Sequence, residues 1–327
     1  MKKLLSIAET SELIKNGHIL VCSGEEELLA QLPNGTWIGG TIPYFLTEEK
    51  GVFDQSKIFV TDFTTVAKSA TVKFYDESNI ASIPKNGFDN GFNFIILPAL
   101  KSIHLNFALH APDFEDLYNN PLVGLISGTA LDELGTKTPK VISGSDGEVS
   151  DEKAIVLHVE LASDKVARLE IVNIFEEDST SPVLSFDSTD FNFETVYVDG
   201  VAQNFSQYLI KSGRDIRFPL VTNHGGAIIN SSFMANDTEN NVVKFYAPLF
   251  EKTEYRFAKP INDYVADFNA KLPKGVDSSS VTFTCNCILN YLYGELEGKS
   301  IGFSGPITFG EVAYQLLNQT FTYLIID

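Results

Sequence analysis

The alternation of apolar and polar positions is clearest in the last part of the chain. Residues 281–285 alternate between the two types, which predicts a strand. Residues 288–296 carry apolar side chains at helical spacing and Gly298 follows them, so we expect a helix that ends there. Residues 316–326 form a long apolar run that is typical of a strand. Because an unpaired apolar strand favours aggregation, this strand is predicted to have neighbours on both sides.

The same order of elements recurs near the start of the chain. Residues 18–40 predict a strand, a helix and a second strand, which is the pattern of a parallel or mixed sheet. The shift along the sequence that places Cys22 on Cys285 also places Glu48 on Glu311. This correspondence predicts an internal duplication.

The fold class follows from these patterns. We expect an α/β to α+β fold with two pseudo-repeated halves, in which a few helices cover mixed β-sheets. Residues 136–151 are polar and glycine-rich, which indicates a surface loop. Residues 176–190 are acidic and rich in Ser and Thr, which indicates a linker.

The composition is that of a globular protein, since 44% of the 327 residues are hydrophobic and 20% are charged. The formal net charge of −19 argues against a non-specific grip on nucleic acid, which needs clustered Lys and Arg, and against binding to anionic membranes. No apolar run is long enough for a membrane-spanning helix, and the run after Lys3 is too short for a signal peptide. We therefore expect a cytoplasmic protein without nucleic-acid or membrane partners.

Three cysteines are too few for a closed disulfide framework, which agrees with a reducing compartment. Cys285 and Cys287 lack the Cys-x₂-Cys spacing of structural zinc, so neither a metal nor a cofactor is predicted. A nucleophilic thiol at Cys285 or Cys22 would need a neighbouring His and an orienting acid. No recognisable motif supplies them, and a buried, unreactive thiol is the alternative interpretation.

A second enzyme-like motif lies in the middle of the chain. Residues 223–226, Asn-His-Gly-Gly, are similar to the oxyanion loop of esterases. Such enzymes also need a Gly-x-Ser-x-Gly elbow, which this sequence lacks. The glycine pair is therefore predicted to form a hairpin turn that leads into residues 227–229.

Several short motifs resemble one known family. Residues 309–313, Phe-Gly-Glu-Val-Ala, and residues 317–322, Leu-Asn-Gln-Thr-Phe-Thr, resemble the carboxy-terminal signature of FIST domains. Residues 37–41, Trp-Ile-Gly-Gly-Thr, are similar to the glycine pair in the amino-terminal half of these domains. FIST stands for F-box and intracellular signal transduction, and the family consists of bacterial sensory modules. Asn286 follows Cys285 where FIST domains usually carry an Arg, so the resemblance is to a divergent branch.

The resemblance implies a FIST N-terminal-like half at residues 1–180 and a C-terminal-like half at residues 191–327. It also implies a sensory protein that binds a small metabolite, with amino acids as the ligand class. Because no output domain lies within the chain, such a protein would signal through a protein partner. The predicted ligand-binding residues are Gly39, Gly40, Thr41, Cys285, Glu311 and Asn318.

Alternative interpretations stand beside each of these predictions. Glu311 has the alternative of a carboxylate at a helix N-terminus, and Asn318 has the alternative of binding turn backbone before the last strand. The rival functions are a hydrolase or transferase that uses Cys285 or Cys22, and a non-catalytic structural subunit.

Overall fold

The computed structural model describes residues 2–224 and 227–327. Over these residues the chain folds as two compact units. The first unit consists of Met1–Val172, Leu272–Leu316 and Phe321–Asp327, and the second unit of Asn173–Lys271 and Leu317–Thr320. The chain leaves the first unit close to the predicted linker but returns to it at Leu272. The compact units therefore differ from the predicted halves, 1–180 and 191–327, and the FIST-like division of the sequence remains a prediction.

The first segment of the first unit is mostly strand. Its strands are β1 (Lys2–Leu5), β2 (Leu20–Gly24), β3 (Trp37–Thr41), β4 (Tyr44–Leu46), β5 (Gly51–Phe53), β6 (Ile58–Asp62), β7 (Ala67–Tyr75), β8 (Gly91–Pro98), β9 (Leu122–Ser127), β10 (Val141–Ser143), β11 (Val149–Ser150), β12 (Ala154–Leu161) and β13 (Ala167–Val172). Strands β10 and β11 pair as a hairpin, so the prediction of a loop over residues 136–151 is wrong for these positions.

The helices of this segment are short. They are α1 (Ile7–Lys15), α2 (Glu26–Leu29) and α3 (Ser102–His110), with 3₁₀ turns at Ile80–Ser82, Pro84–Asn86, Ala111–Asp113 and Leu131–Glu133. Helix α1 begins with a capping box, in which the Ser6 hydroxyl accepts from the Glu9 amide and the Glu9 carboxylate accepts from the Ser6 amide. This exchange satisfies backbone donors that the first turn leaves open.

The helices and strands of the second unit come from the longer of its two chain segments, and the strands form small sheets. Its strands are β14 (Leu184–Ser185), β15 (Asp190–Phe193), β16 (Thr195–Val198), β17 (Val201–Asn204), β18 (Leu220–His224), β19 (Ala227–Ser231), β20 (Phe233–Asp237), β21 (Val242–Leu249) and β22 (Arg256–Phe257). Its helices are α4 (Phe205–Ser212) and α5 (Tyr264–Lys271). An aromatic core that includes Phe193, Phe205, Phe245 and Tyr255 holds these elements together.

The remaining elements return the chain to the first unit. They are β23 (Phe283–Cys287), α6 (Ile288–Tyr293), β24 (Gly305–Thr308), β25 (Glu311–Ala313), β26 (Gln315–Leu317) and β27 (Phe321–Ile326). The fold is thus a mixed α+β arrangement with several mixed sheets and few helices, as the sequence predicts.

The described part of the first unit contains three six-stranded sheets with the same order of strand directions. The first sheet is β1-β6-β2-β3-β10-β11, the second is β7-β12-β8-β9-β25-β26, and the third is β13-β27-β23-β24-β4-β5. In each sheet the third and fourth strands are parallel, and the neighbouring pairs on either side of them are antiparallel. A short helix connects the parallel strands in every case, as parallel pairing requires a crossover.

The predicted duplication is present in the first and third sheets, but its second strand is displaced. Leu20 lies beside Trp37, seventeen positions further on, whereas Asn286 lies beside Ile307, twenty-one positions further on. Residues 300–303, which the duplication predicts as a strand, precede β24 instead. The second sheet is a further copy that the sequence comparison did not detect.

The terminal strand has the predicted position inside a sheet. Strand β27 pairs with β13 on one side and with β23 on the other. It begins at Phe321, because the preceding Gln319 has a positive φ of 52° that interrupts extended backbone.

One hydrophobic core joins the three sheets of the first unit. It includes Ile38 from the first sheet, Phe94 from the second and Phe283 from the third. The rings of Phe94 and Phe283 meet edge to face, with centroids 4.7 Å apart. Among the described residues, no helix is both long enough and apolar enough to cross a membrane.

Candidate functional site

The glycine pair at the end of β3 is closely packed. A Cβ atom on Gly39 would lie 3.1 Å from the Trp37 ring, and one on Gly40 would lie 2.7 Å from a methyl carbon of Ile96 and 3.3 Å from Ser127 Cβ. Side chains therefore occupy the space beside both glycines. The absence of a Cβ on Gly40 allows the first and second sheets to approach each other, whereas Gly39 leaves room for Trp37 and Leu29 beside its own sheet. Both are structural reasons for glycine here.

Thr41 follows the pair and binds the backbone beyond the end of β9. Its hydroxyl donates to the Gly128 carbonyl at 2.8 Å and accepts from the Lys140 amide at 2.9 Å, and its carbonyl accepts from the Gly128 amide at 2.7 Å. Protein groups thus use the hydroxyl of Thr41 both as a donor and as an acceptor. The ligand contact predicted for residues 39–41 remains a prediction.

Cys285 lies in a buried polar cluster with Thr308 and Glu311, and all three side chains are fully buried. The Cys285 Sγ lies 3.1 Å from Thr308 Oγ1, and Thr308 Oγ1 donates to the Gly310 carbonyl at 2.7 Å. Because a hydroxyl has a single proton, this geometry makes the thiol the donor to Thr308. Burial raises the pKa of the Cys285 thiol well above its usual value, and the charge of Glu311 raises it further.

These surroundings weigh against a thiol nucleophile. Cys22 and Cys287 are also buried, and burial raises the pKa of the Cys22 thiol as well. Reactive cysteines need a lowered pKa and access to solvent. Over residues 2–224 and 227–327, no three His, Cys, Asp or Glu side chains come together in a way that could hold a metal ion.

Glu311 and Glu48 differ in their surroundings. Glu311 is fully buried in β25, opposite Leu125 of β9, whereas Glu48 is exposed between β4 and β5. The equivalence of these two glutamates predicted from the sequence shift is therefore wrong. The reason is that β24 follows β23 at a greater distance along the chain than β3 follows β2. Glu311 is also not at a helix N-terminus, so the alternative interpretation of its role is wrong too.

Asn318 belongs to the second unit and binds backbone. Its Nδ2 donates to the Leu317 carbonyl at 3.0 Å, and its own carbonyl accepts from Asn230 Nδ2 at 3.0 Å. The neighbouring Gln319 accepts from the Ser232 hydroxyl at 2.7 Å. The Asn-Gln pair of the FIST-like motif thus ties the segment Leu317–Thr320 into the second unit, as the turn-binding interpretation of Asn318 predicts.

The His-Gly-Gly motif falls partly outside the described residues. Strands β18 and β19 pair as antiparallel neighbours, with His224 opposite Ala227. Gly225 and Gly226, for which a hairpin turn is predicted, lie outside the described residues.

The second unit contains a charged groove that sequence reasoning did not find. Its volume is about 340 Å³, and its lining residues are Ile174, Glu176, Lys259, Pro260, Ile261, Asn262, Asp263, Asp267 and Lys271. The Glu176 carboxylate accepts from Lys259 Nζ at 3.1 Å and also from Lys271 Nζ. These two hydrogen bonds, that from Lys271 first, hold the pKa of the Glu176 carboxyl below its usual value.

Two further acids stand at the start of α5. Asp263 accepts from the Ala266 amide at 3.1 Å, so its carboxylate caps the helix. Asp267 follows within the first turn of the helix. The groove therefore combines two ammonium groups with three carboxylates. Glu176 lies 83 positions before Lys259 and 95 before Lys271, so no local sequence pattern could have predicted the groove.

Comparison with known proteins places the chain in a family. The sequence model of a family of unknown function, DUF6976, matches residues 5–327. The chain belongs to DUF6976. No curated protein matches the sequence. The family itself assigns no activity, so the interpretation of this DUF6976 member depends on its own side chains.

Proposed function

We propose that this DUF6976 protein is a cytoplasmic sensory module that binds a small zwitterionic metabolite, an amino acid, in the groove of the second unit. The observation that supports the proposal is the combination of Lys259 and Lys271 with Asp263 and Asp267 around one groove. A free amino acid carries one carboxylate and one ammonium group. It can therefore form an ion pair with each kind of side chain in the groove.

Ligand binding would replace ion pairs within the protein by ion pairs between the protein and the ligand, so that few charges lose an opposite partner. The ligand carboxylate takes a hydrogen bond from Lys259 or Lys271, which Glu176 binds in the structure described. The ligand ammonium group donates to Asp263 or Asp267. Charge-assisted hydrogen bonds of this kind are the stronger ones, and their geometry selects for both ligand charges together.

The affinity expected from such a groove is modest. Lys259 and Lys271 are 54% and 41% exposed, and exposed ion pairs contribute only about 0.2–1 kcal/mol each. Ile174, Pro260 and Ile261 add apolar surface for the side chain of the ligand. We expect a dissociation constant in the range of about 1 μM to 1 mM, which corresponds to a binding free energy of roughly 8 to 4 kcal/mol in favour of the complex. Such an affinity suits the sensing of an abundant metabolite, with the signal passed to a protein partner.

The rival functions have less support from the side chains. An enzyme that uses Cys285 or Cys22 would have to ionise a fully buried thiol whose pKa is raised. A structural subunit would have no need for a groove in which both charge types remain partly exposed.

The proposal is tested by calorimetry with the twenty standard amino acids, supported by thermal shift. A ligand at about 100 times its dissociation constant stabilises the fold by roughly 2.7 kcal/mol. Lys271→Gln and Asp263→Asn should each weaken binding by up to about fivefold, which is about 1 kcal/mol of binding free energy. Asn also caps helices well, so Asp263→Asn removes the charge while it keeps the start of α5.

The control is Lys244→Gln, which breaks the Lys244–Asp237 ion pair of the same unit outside the groove. This variant should bind as the original protein does. Binding that Lys271→Gln and Asp263→Asn leave unchanged would place the ligand elsewhere, and no binding of any amino acid would contradict the proposed ligand class.

A further inference from the structure

A second groove lies in the first unit, away from the cysteine cluster, and is formed by two turns of the chain. Its volume is about 420 Å³, and it is lined by Pro84, Lys85, Gly87, Phe88, Asp89, Asp116, Asn119 and Asn120. Asn120 Nδ2 donates to the Phe88 carbonyl at 2.9 Å, so the two turns are joined across the groove. The groove is therefore a preformed feature of the surface.

The polar side chains of this groove are of a different kind from those of the second unit. Two carboxylates, Asp89 and Asp116, stand with two amides, Asn119 and Asn120. The single ammonium group, that of Lys85, pairs with Glu115, which is not a lining residue. Carboxylates accept hydrogen bonds from hydroxyl groups, and amides both donate and accept. This set suits a ligand with several adjacent hydroxyl groups and no charge.

Aromatic rings accompany these polar groups. Phe88 lines the groove, and Tyr118 lies on the same turn as Asp116 and Asn119. Tyr118 is 71% exposed and its ring lies against that of Tyr314 with centroids 5.1 Å apart, but neither of these tyrosines lines the groove. The aromatic ring that lines the groove is therefore that of Phe88. An aromatic ring beside carboxylates and amides is the chemistry that binds the C–H face of a sugar ring while its hydroxyls are hydrogen-bonded.

One wall of the groove is supported by a buried hydrogen-bonded chain. A Cβ on Gly87 would lie 2.9 Å from Asn93 Oδ1, so this turn rests directly on Asn93. Asn93 Oδ1 lies 2.6 Å from His158 Nδ1, and His158 Nε2 lies 2.8 Å from the Tyr75 hydroxyl. Because an amide oxygen only accepts, His158 carries its proton on Nδ1 and accepts from Tyr75 at Nε2. This buried chain fixes the wall that carries Phe88.

From the groove, its amide and carboxylate groups and the ring of Phe88, we infer that the first unit binds a neutral carbohydrate at residues 84–89 and 116–120. The inference is independent of the amino-acid site, which lies in the other unit. The main competing occupant is a small cationic amine, since both Asp89 and Asp116 could bind it. Asp116 separates these two classes.

The test measures binding of methyl glycosides of glucose, galactose, mannose and N-acetylglucosamine by saturation-transfer NMR, each at about 10 mM, with putrescine as the cationic probe. We expect at least one glycoside to bind and putrescine not to bind. Phe88→Ala and Asn119→Ala should each weaken glycoside binding about tenfold. Phe53→Ala is the matched control, because Phe53 is also a phenylalanine of the first unit and lies against Tyr44 with ring centroids 5.0 Å apart, but it does not line the groove.

Asp116→Asn distinguishes the two ligand classes. Asp116 has a positive φ of 64°, which Asn tolerates as Asp does, so this change keeps the turn and removes only the charge. Binding of a neutral glycoside should fall by less than about threefold, because the amide still forms hydrogen bonds. The inference is overturned if none of the glycosides binds, if Phe88→Ala and Asn119→Ala leave binding unchanged, or if putrescine binds and Asp116→Asn abolishes that binding.

Discussion

The first and third sheets of the first unit have the same order of strand directions but different chemistry around their cysteines. Cys22 in β2 lies in an apolar cluster with Leu29 and Trp37. Cys285, at the matching position of β23, donates to Thr308 and lies close to Glu311. The shared strand order is therefore compatible with either kind of interior. Apolar spacing specifies the sheet, and the buried polar groups are an addition specific to the third sheet.

The largest expected difference between the two sheets comes from their glycines. A Cβ on Gly305 would lie 2.2 Å from Thr284 Oγ1 and 2.3 Å from the Thr284 carbonyl oxygen, whereas the nearest atom to a Cβ on Gly40 is a side-chain methyl carbon of Ile96. Backbone cannot move aside as a side chain can. Gly305→Ala should lower the free energy of unfolding by about 3 kcal/mol and Gly40→Ala by about 1 kcal/mol, as measured by urea denaturation. Equal losses would show that the two strand ends are equally tightly enclosed.

The second sheet extends the comparison through its buried histidine. Burial, with a smaller contribution from the charge of Lys73, lowers the pKa of His158 to about 4. The imidazole binds its proton near pH 6.5 in the unfolded chain, but only near pH 4 in the folded protein. The free energy of unfolding is therefore fully retained above pH 6.5 and decreases as the pH falls towards 4. We expect a loss of about 2 kcal/mol between pH 7 and pH 5 from this group.

The measurement is the urea midpoint at several pH values, with His158→Gln as the variant. The variant should be less stable at neutral pH but should lack this part of the pH dependence. Burial also lowers the pKa of His104 to about 4, and this histidine remains in the variant. The pH dependence that the variant retains therefore includes the contribution of His104. An unchanged pH dependence in His158→Gln would contradict the prediction.

Serine substitutions compare the two cysteine environments directly. A hydroxyl at position 285 can donate to Thr308 as the thiol does, so Cys285→Ser should lower the free energy of unfolding by less than about 1 kcal/mol. A hydroxyl at position 22 would enter an apolar cluster, so Cys22→Ser should cost about 2 kcal/mol. Denaturant titration under reducing conditions measures both. A larger loss at position 285 would mean that the polar contact contributes little.

The smallest expected effect concerns the two glutamates. Glu311→Gln removes a charge from a fully buried position and should change the free energy of unfolding by about 1 kcal/mol, whereas Glu48→Gln, at an exposed position, should stay within about 0.5 kcal/mol. Thermal melts with and without amino acids measure the effect. If Glu311→Gln abolishes ligand stabilisation while the melt of the free protein is unchanged, the ligand site predicted from the sequence is correct and the groove assignment is wrong.

Sequence patterns predicted the parts of the fold that rest on local order. The strand-helix-strand pattern around Cys22 and Cys285 and the apolar terminal strand are both present. The copy in the second sheet was missed because its parallel strands are further apart in sequence, with Asn93 beside Leu122, and because its residues differ from the other two copies. The break before β27 was missed because a positive φ at Gln319 has no marker in that residue type.

The candidate sites were harder to predict, and for a physical reason. Both grooves depend on residues that the fold brings together from distant positions, such as Glu176 with Lys271 and Phe88 with Asn120. A charged residue on a surface segment gives no periodic signal by which its eventual partner could be recognised. The ligand contact at residues 39–41 was predicted from the glycine pair that resembles FIST domains, whereas close packing beside Gly39 and Gly40 is a structural reason for the same two glycines.

The pairing of β13 with β27 has a consequence for synthesis of the protein. Val172 lies beside Phe321 in the third sheet, although the two are 149 positions apart. On the ribosome, β13 therefore has to wait until residues 321–326 have emerged, and the whole of the second unit is translated in between. Such distant pairing slows folding, since loop closure precedes the contacts that stabilise it. The nascent chain would carry β13 as an open edge for that interval, which makes it a natural binding site for a chaperone.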